Sequence, residues 1–474
     1  MRFDIDNKTD LMSNSRLFTW RQVLIYTTAF VGVVIVIQRV LRYISEHVVA
    51  FDNPYYWPVS IFGPRLPSLR DLSVAAGVAA VFFLFCRVLE VKRFSIVLSI
   101  VFGVALIAGL NFIHGLDVGY YAPIAGDART GVLIPNTLDG QEYFHDALTI
   151  TDPVDFFRRY NEIQPTLHMH GHTHPPGAVL TFYFLTKLLR DPAMIAVVIM
   201  ILATIPTIFF FYRILQTELN DETARYMAFL LVLLPAVQIY YLASLDALIV
   251  ALLTGVLYLF CFGKSYRSAI GAIVLLTASF LLTFVSLFIL PVLVGFDLIV
   301  RRSLKRSVLV VGGMVGAHVL FYLLTGYDGW HSFRNASLHE NPNGFMLFVD
   351  PVNYLFTRVE DVAEILFFFG PFLLILLIRG FRSKFQLRPF ADLRQRPLLV
   401  LTILACTSLL GMYAVGAWRT GETARACAYI YPYLLFPVGY YLEDAEVGSS
   451  GRLQLAALVF MQSLGMQVFG TYHW

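Results

Sequence analysis

Charge is what this chain is short of: only 14% of its 474 residues are Asp, Glu, Lys or Arg, against 58% hydrophobic residues and a mean hydropathy of +0.68. That is too little charge to clothe a soluble globule of this length, and the composition is that of an all-α polytopic membrane protein. The net charge is only +3, and the basic residues fall in short blocks between apolar stretches, which excludes a nucleic-acid partner and reads as orientation signal. Cysteine is equally scarce. Cys86, Cys261, Cys406 and Cys427 lie within or beside apolar stretches without CxxC spacing, read as small core residues and report nothing about redox compartment. No glycine-rich nucleotide-binding loop is present. No small-residue cleavage site follows the first apolar run, so Val23 to Leu41 is expected to be a retained span rather than a cleaved signal.

What is abundant is apolar sequence in span-sized runs, each needing about 20 residues to cross a bilayer. Thirteen transmembrane helices are expected, near 22–41, 72–89, 95–113, 193–212, 226–243, 247–262, 269–283, 287–300, 307–325, 362–379, 398–417, 426–441 and 453–470. The basic blocks at Arg87–Arg93, Lys264–Arg267, Arg301–Arg306 and Arg379–Arg396 then face the cytoplasm, leaving loops 114–192 and 326–361 outside. Ala178 to Leu189 is apolar, but counting it as a span would move the Gly263–Ser268 loop outside. It is therefore expected to lie on, or dip into, the outer leaflet.

Within loop 114–192, His168, His170, His172 and His174 alternate through His-Met-His-Gly-His-Thr-His and run into Pro175-Pro176-Gly177. In extended backbone, which a residue before proline prefers, all four imidazoles would line one side. Such a row can chelate a transition metal, can present hydrogen bonds to a phosphate, or can simply be a polar surface. The loop is too long for a simple connector. Asp152 to Tyr160 carries helix-start chemistry, then aromatics and the basic pair Arg158 and Arg159, which suits a juxtamembrane helix. Before it stands Asp139-Gly-Gln-Glu142-Tyr143-Phe-His145-Asp146; as a helix it would group Asp139, Glu142, Tyr143 and Asp146 on one face. The blander readings are an N-cap for Asp139 and solvated loop charges for Glu142 and Asp146.

Asp139-x-x-x-Tyr143-x-x-x-Ala147 followed by His174-Pro175-Pro176-Gly177 resembles the GT-C superfamily of polyprenyl-phosphate-sugar-dependent glycosyltransferases, which includes protein O-mannosyltransferases and lipid A aminoarabinose transferases. Gly140 stands where that pattern has a second acidic residue, with Glu142 or Asp146 as substitutes. The loop also follows the third expected span, not the first, which implies an extra N-terminal hairpin. Pro235 to Leu248, with Tyr240, Tyr241 and Asp246, is similar to the family's aromatic-then-acid segment. Gly421-Glu422-Thr-Ala-Arg425 is similar to a Gly-Glu-x-x-Arg element of some relatives, although Glu422 and Arg425 could pair with each other across one helical turn. The resemblance implies three parts: an N-terminal segment and extra hairpin (1–93), a catalytic membrane module (94–441) and a C-terminal transmembrane helix (442–474).

It also implies the chemistry: a sugar leaves a polyprenyl phosphate and passes, with inversion in one displacement, to a hydroxyl of a lipid, protein or polysaccharide acceptor at the extracytoplasmic face of a plasma or inner membrane. Asp139 is the expected general base, with Glu142, Asp146 and Asp246 as supporting acids. Arg158, Arg159, His172, His174 and Arg425 are the candidates to meet the charge of the departing phosphate. Tyr143 and Glu422 are further candidates. No cofactor is required, although a divalent metal on His168, His170, His172 and His174 is a competing expectation. Trp330, His331, Arg334, His339, Glu340, Asn341 and Asn343 of the second outer loop suit either sugar recognition or a structured cap, and Asn335-Ala-Ser337 fits a glycosylation sequon. Two other classes fit the same span count: a transporter or lipid flippase, and a catalytically silent GT-C-like protein.

Overall fold

The computed structural model describes residues 16–47, 63–91, 94–126, 142–385, 393–417 and 423–471. These residues form an all-α polytopic protein, with one two-residue antiparallel pairing of Gly63 with Thr471 and Pro64 with Gly470. Among the described residues seven helices are long and apolar enough to cross a bilayer: Trp20–Ile37, Leu69–Leu89, Ile96–His114, Pro192–Leu215, Phe284–Arg301, Lys305–Thr325 and Pro397–Ala414. A bent pair, Pro351–Phe369 with Pro371–Lys384, raises that to eight. The count is below the thirteen expected, mostly because helices are broken or short: the run 426–441 ends in the 14-residue Tyr431–Asp444, whereas Ser449–Phe469, at 21 residues, is long enough but not apolar enough. The run 226–243 breaks at Pro235 into Asp221–Leu233 and Pro235–Tyr240, since proline brings no N–H to continue the ladder. Leu245–Cys261 and Tyr266–Leu282 have 17 residues each, about 26 Å at 1.5 Å per residue, short of the hydrocarbon thickness. Pro176–Leu189, with 14 residues, is shorter still.

The outer surface of the bundle is apolar. On Lys305–Thr325, Val308, Leu323 and Leu324 are 68%, 72% and 66% exposed, a stripe that water would penalise and hydrocarbon accepts. Inside, helix starts are fixed by side-chain caps. Asp191 accepts from the N–H groups of Ala193 and Met194 ahead of Pro192–Leu215, and Ser244 accepts from Asp246 N–H ahead of Leu245–Cys261. Pro192–Leu215, Leu245–Cys261 and Tyr266–Leu282 pack in series, and the Glu142–Thr149 helix lies against Pro176–Leu189. The start of Leu245–Cys261 and the loop between residues 142 and 176 come near enough for Asp246 to act electrostatically on Tyr143.

Pro351–Phe369 is amphipathic in the sense opposite to a soluble helix. It exposes Val352, Leu355, Val359 and Val362 and buries Glu360, Asp361 and Glu364. An apolar solvent explains the inversion: lipid takes the valines and leucine, and the acids turn inward, Asp361 to Arg358 and Glu364 to Thr423. The expected boundary between outer loop and span at residues 361 and 362 falls in the middle of this continuous helix. Its axis turns by 99° at Gly370, where φ is +92° and an added Cβ would lie 2.0 Å from Gln462 Oε1, so only glycine fits the corner.

Candidate active site

The histidine run does not stay extended. Met169–Thr173 closes a helical turn, with His172 N–H donating to His168 O at 2.8 Å. Two carboxylates of the Glu142–Thr149 helix supply the cause. Asp146 Oδ1 accepts from the backbone N–H of His168 (3.3 Å) and from its ring Nδ1 (2.7 Å), while Glu142 Oε2 accepts from the N–H of His170 (2.6 Å) and its Nδ1 (3.0 Å). Satisfying these start-of-turn N–H groups is what a cap does. Glu142 and Asp146 are thus structural partners of the turn, not solvated charges; Asp146 is 4% exposed. Gly171 sits where a Cβ would come within 2.1 Å of Asp146 Oδ2, so the turn can approach the acid only because that position has no side chain. From the other side Tyr160 OH donates to Gly171 O at 2.8 Å and also to His174 O, and Gln164 Nε2 donates to His172 O at 2.7 Å.

The four rings consequently part company. His168 goes to Asp146 and His170 to Glu142. His172 lies against His339 of the Gly329–Glu340 helix, with ring centroids 4.1 Å apart. Only His170 and His174 remain neighbours, at 6.4 Å. The one-sided row expected from alternation is therefore corrected: helical winding spreads the rings around the turn, each to a separate partner. Among the described residues no group of three or more His, Cys, Asp or Glu side chains is placed to hold a metal ion.

His174 turns toward the bundle. Its Nδ1–H donates to His170 O at 3.1 Å, and Thr173 Oγ1 lies 3.2 Å from the same nitrogen. Because a carbonyl can only accept, this contact places a proton on Nδ1, so in the neutral ring Nε2 is the nitrogen with the lone pair. Burial, then the nearby charges of His170 and Arg425, lower its pKa to about 3. Tyr143 packs edge-on to His174 at 5.2 Å and stacks on Phe182 at 5.8 Å. Burial raises the Tyr143 phenol well above its ordinary value; Asp246 adds to that and Arg425 opposes it. Burial also raises the Glu142 carboxyl, but the bonds to His170 and the charges of His170 and His168 outweigh it, and the net shift is downward.

Asp246, at the start of Leu245–Cys261, accepts from Ser244 Oγ at 3.0 Å and faces Arg425, whose Nε lies 3.5 Å from Asp246 Oδ2. Arg425 is buried and the Asp246 side chain is 21% exposed. Tyr143, His174, Asp246 and Arg425, from four separate stretches of sequence, form one electrostatic neighbourhood. Arg425 thus pairs with Asp246 across the fold. The carboxylate expected as its helical neighbour, Glu422, lies outside the described residues, as does Asp139. Arg158 and Arg159 are exposed on the loop, where Arg159 bridges Asp155 (3.5 Å) and Glu162 (3.4 Å).

Sequence reading passed over the support beneath Arg425. Glu364 Oε2 accepts from both the N–H and the Oγ1 of Thr423, each at 3.1 Å, and Thr423 Oγ1 donates to Asp361 O at 3.0 Å. Arg358 pairs with Asp361 at 3.1 Å and donates to the carbonyls of Tyr413 (2.5 Å) and Ala417 (2.8 Å). The buried acids of Pro351–Phe369 therefore hold the short Thr423–Ala426 helix that carries Arg425. The signal was present as Arg358-x-Glu360-Asp361-x-x-Glu364, charges at helical spacing in otherwise lipid-facing sequence.

No protein-family model matches the sequence, and no curated protein matches it. Two solved structures of an oligosaccharyltransferase from Archaeoglobus fulgidus are similar to this chain. The apo form gives a TM-score of 0.44 at 11% identity, covering 81% of this chain and 57% of that one. The complex with Zn and sulfate gives 0.39 at 15% identity, covering 67% of this chain and 49% of that one. This chain therefore spans about half the length of the structures it is similar to.

Proposed function

We propose that the protein is a membrane glycosyltransferase of GT-C type, moving a sugar from a polyprenyl phosphate to an acceptor hydroxyl at the extracytoplasmic face with inversion. The observation that carries this reading is the meeting of the Asp246–Arg425 pair with His174 and Tyr143 where the loop 142–176 closes over a helix start. In the displacement, the acceptor oxygen forms a bond to the anomeric carbon as the bond from that carbon to the phosphate oxygen breaks. The hydroxyl proton passes to a carboxylate and the electron pair leaves with the lipid phosphate. Arg425, oriented by Asp246, meets the charge that grows on the phosphate. His174, neutral and with Nε2 open, accepts a hydrogen bond from the incoming hydroxyl and so orients it. Asp139 is the general base of this proposal. The lipid brings its own leaving group, so no cofactor is invoked.

The test compares wild type with Asp139→Asn and Asp246→Asn for transfer from a panel of polyprenyl-phosphate sugars, in bilayers, to lipid, peptide and polysaccharide acceptors. Loss of turnover in Asp139→Asn by roughly a thousandfold, within the range for a positioned base, supports the assignment. Undiminished transfer removes Asp139 as the base. A wild-type protein that transfers no sugar but carries a lipid across the bilayer would replace the enzyme reading with the flippase.

A further inference from the structure

At the far end of Leu245–Cys261 from Asp246, about 25 Å away at 1.5 Å per residue, lies a cavity of about 590 Å³ lined by Thr217, Cys261, Phe262, Lys264, Arg301 and Arg306. The cations come from three different segments. Arg301 is answered by Asp297 at 2.7 Å, but among the described residues neither Lys264 nor Arg306 is paired with a carboxylate. Part of their arrangement has a plain structural use. Arg301 donates to Phe260 O (2.5 Å) and Cys261 O (2.7 Å), and Arg306 donates to Leu259 O (2.6 Å) and Ser268 Oγ (2.8 Å), so both close the carbonyl end of the Leu245–Cys261 helix. Capping does not use Lys264, and it leaves Arg306 Nε buried with no partner in the protein. Like charges gathered beside a low-dielectric wall repel unless an anion joins them.

The side chains next to the arginines in sequence point to the anion's carrier. Leu298, Ile299, Leu304 and Val308 flank the two arginines and are exposed at 53%, 42%, 42% and 68%. Cavity-lining cations with exposed apolar side chains beside them in sequence match an amphiphile whose phosphate enters the cavity while its acyl chains lie along the helices. We propose that this cavity, remote from the candidate active site, binds the phosphate of an anionic lipid headgroup. The site is independent of the glycosyltransferase reading and would stand if that reading failed.

The experiment is native mass spectrometry of the full chain released from nanodiscs of phosphatidylglycerol and phosphatidylcholine mixed equally, with thermal shift by inorganic phosphate in delipidated detergent as the second arm. Preferential retention of phosphatidylglycerol is expected. Lys264→Gln, at an exposed side chain, should lower that retention by about tenfold, the size of one charge-assisted contact. Thr217→Trp should block it by filling the cavity without changing charge. Arg302→Gln, an exposed charge in the turn between Arg301 and Lys305 that does not line the cavity, should leave it unchanged. Equal loss from Arg302→Gln and Lys264→Gln, or full retention in Thr217→Trp, overturns the site. Stabilisation by inorganic phosphate that Thr217→Trp abolishes, without any lipid preference, overturns the lipid and assigns the cavity to free phosphate.

Discussion

Replacing Arg425 by Gln separates its observed pairing with Asp246 from the role proposed for it at the leaving phosphate. With its Nε 3.5 Å from Asp246 Oδ2, the direct attraction is about 5 kcal/mol at an effective dielectric of 20, most of it offset by desolvation of the two groups. Arg425→Gln leaves a poorly solvated carboxylate without its cation, and the Asp246 side chain is only 21% exposed. A stability loss of about 3 kcal/mol is expected, at the lower end for a broken buried pair because Asp246 keeps some water. On the rate, losing a cation aimed at the departing phosphate should cost roughly 10²- to 10³-fold in turnover. The double variant Asp246→Asn/Arg425→Gln distinguishes them. Removing the orphaned charge should restore the unfolding midpoint toward wild type while turnover stays low. The measurements are single-turnover transfer from a polyprenyl-phosphate sugar and thermal unfolding of the same preparations in detergent. If the double variant transfers sugar within about threefold of wild type, Arg425 only neutralises Asp246 and its role at the leaving group is refuted.

Three further outcomes follow from the geometry. Gly171→Ala places a Cβ 2.1 Å from Asp146 Oδ2 and should destabilise by about 1–3 kcal/mol, read as a lower unfolding midpoint; an unchanged midpoint would show that the turn can retreat from Asp146. Glu364→Gln retains the shape of the support under Thr423 but weakens its hydrogen bonds, so turnover should fall by about tenfold, with the loss in kcat rather than KM; a change confined to KM would place the acid in donor binding instead. The pKa of His174 is lowered from 6.5 to about 3, so the unfolded chain takes up a proton there before the folded one does. Its contribution to stability is complete above pH 6.5 and is lost as pH falls from 6.5 toward 3. His174→Gln should flatten that part of the curve of unfolding midpoint against pH, and a curve with the wild-type slope would refute the buried neutral ring.

Much of the architecture is written locally, and little of the site is. Low charge and long apolar runs identify a polytopic helical membrane protein because hydrocarbon leaves the backbone no other partners than its own. Proline and the capping residues Asp191, Ser244 and Asp328 mark helix starts for the same local reason. The number of full-length spans was not legible, because a proline such as Pro235, or a missing turn at either end of Leu245–Cys261, shortens a helix without lowering its hydropathy. The conformation of the histidine run was not legible either. Alternation and a following proline favour extended backbone, but Glu142 and Asp146, more than twenty residues earlier, cap a helical turn there and draw the rings apart.

Sequence alone therefore determined the class, the acidic and histidine-rich character of the loop 142–176, and the identity of Tyr143, His174, Asp246 and Arg425 as candidates. Tertiary structure decided which of them meet. Asp246 and Arg425 are 179 positions apart, and no local rule pairs them; they face each other because the Leu245–Cys261 start and the Thr423–Ala426 turn pack at one place. The same holds for Glu360, Asp361 and Glu364. Their inward face has meaning only once lipid covers the other side of the helix, and that follows from packing, not from spacing.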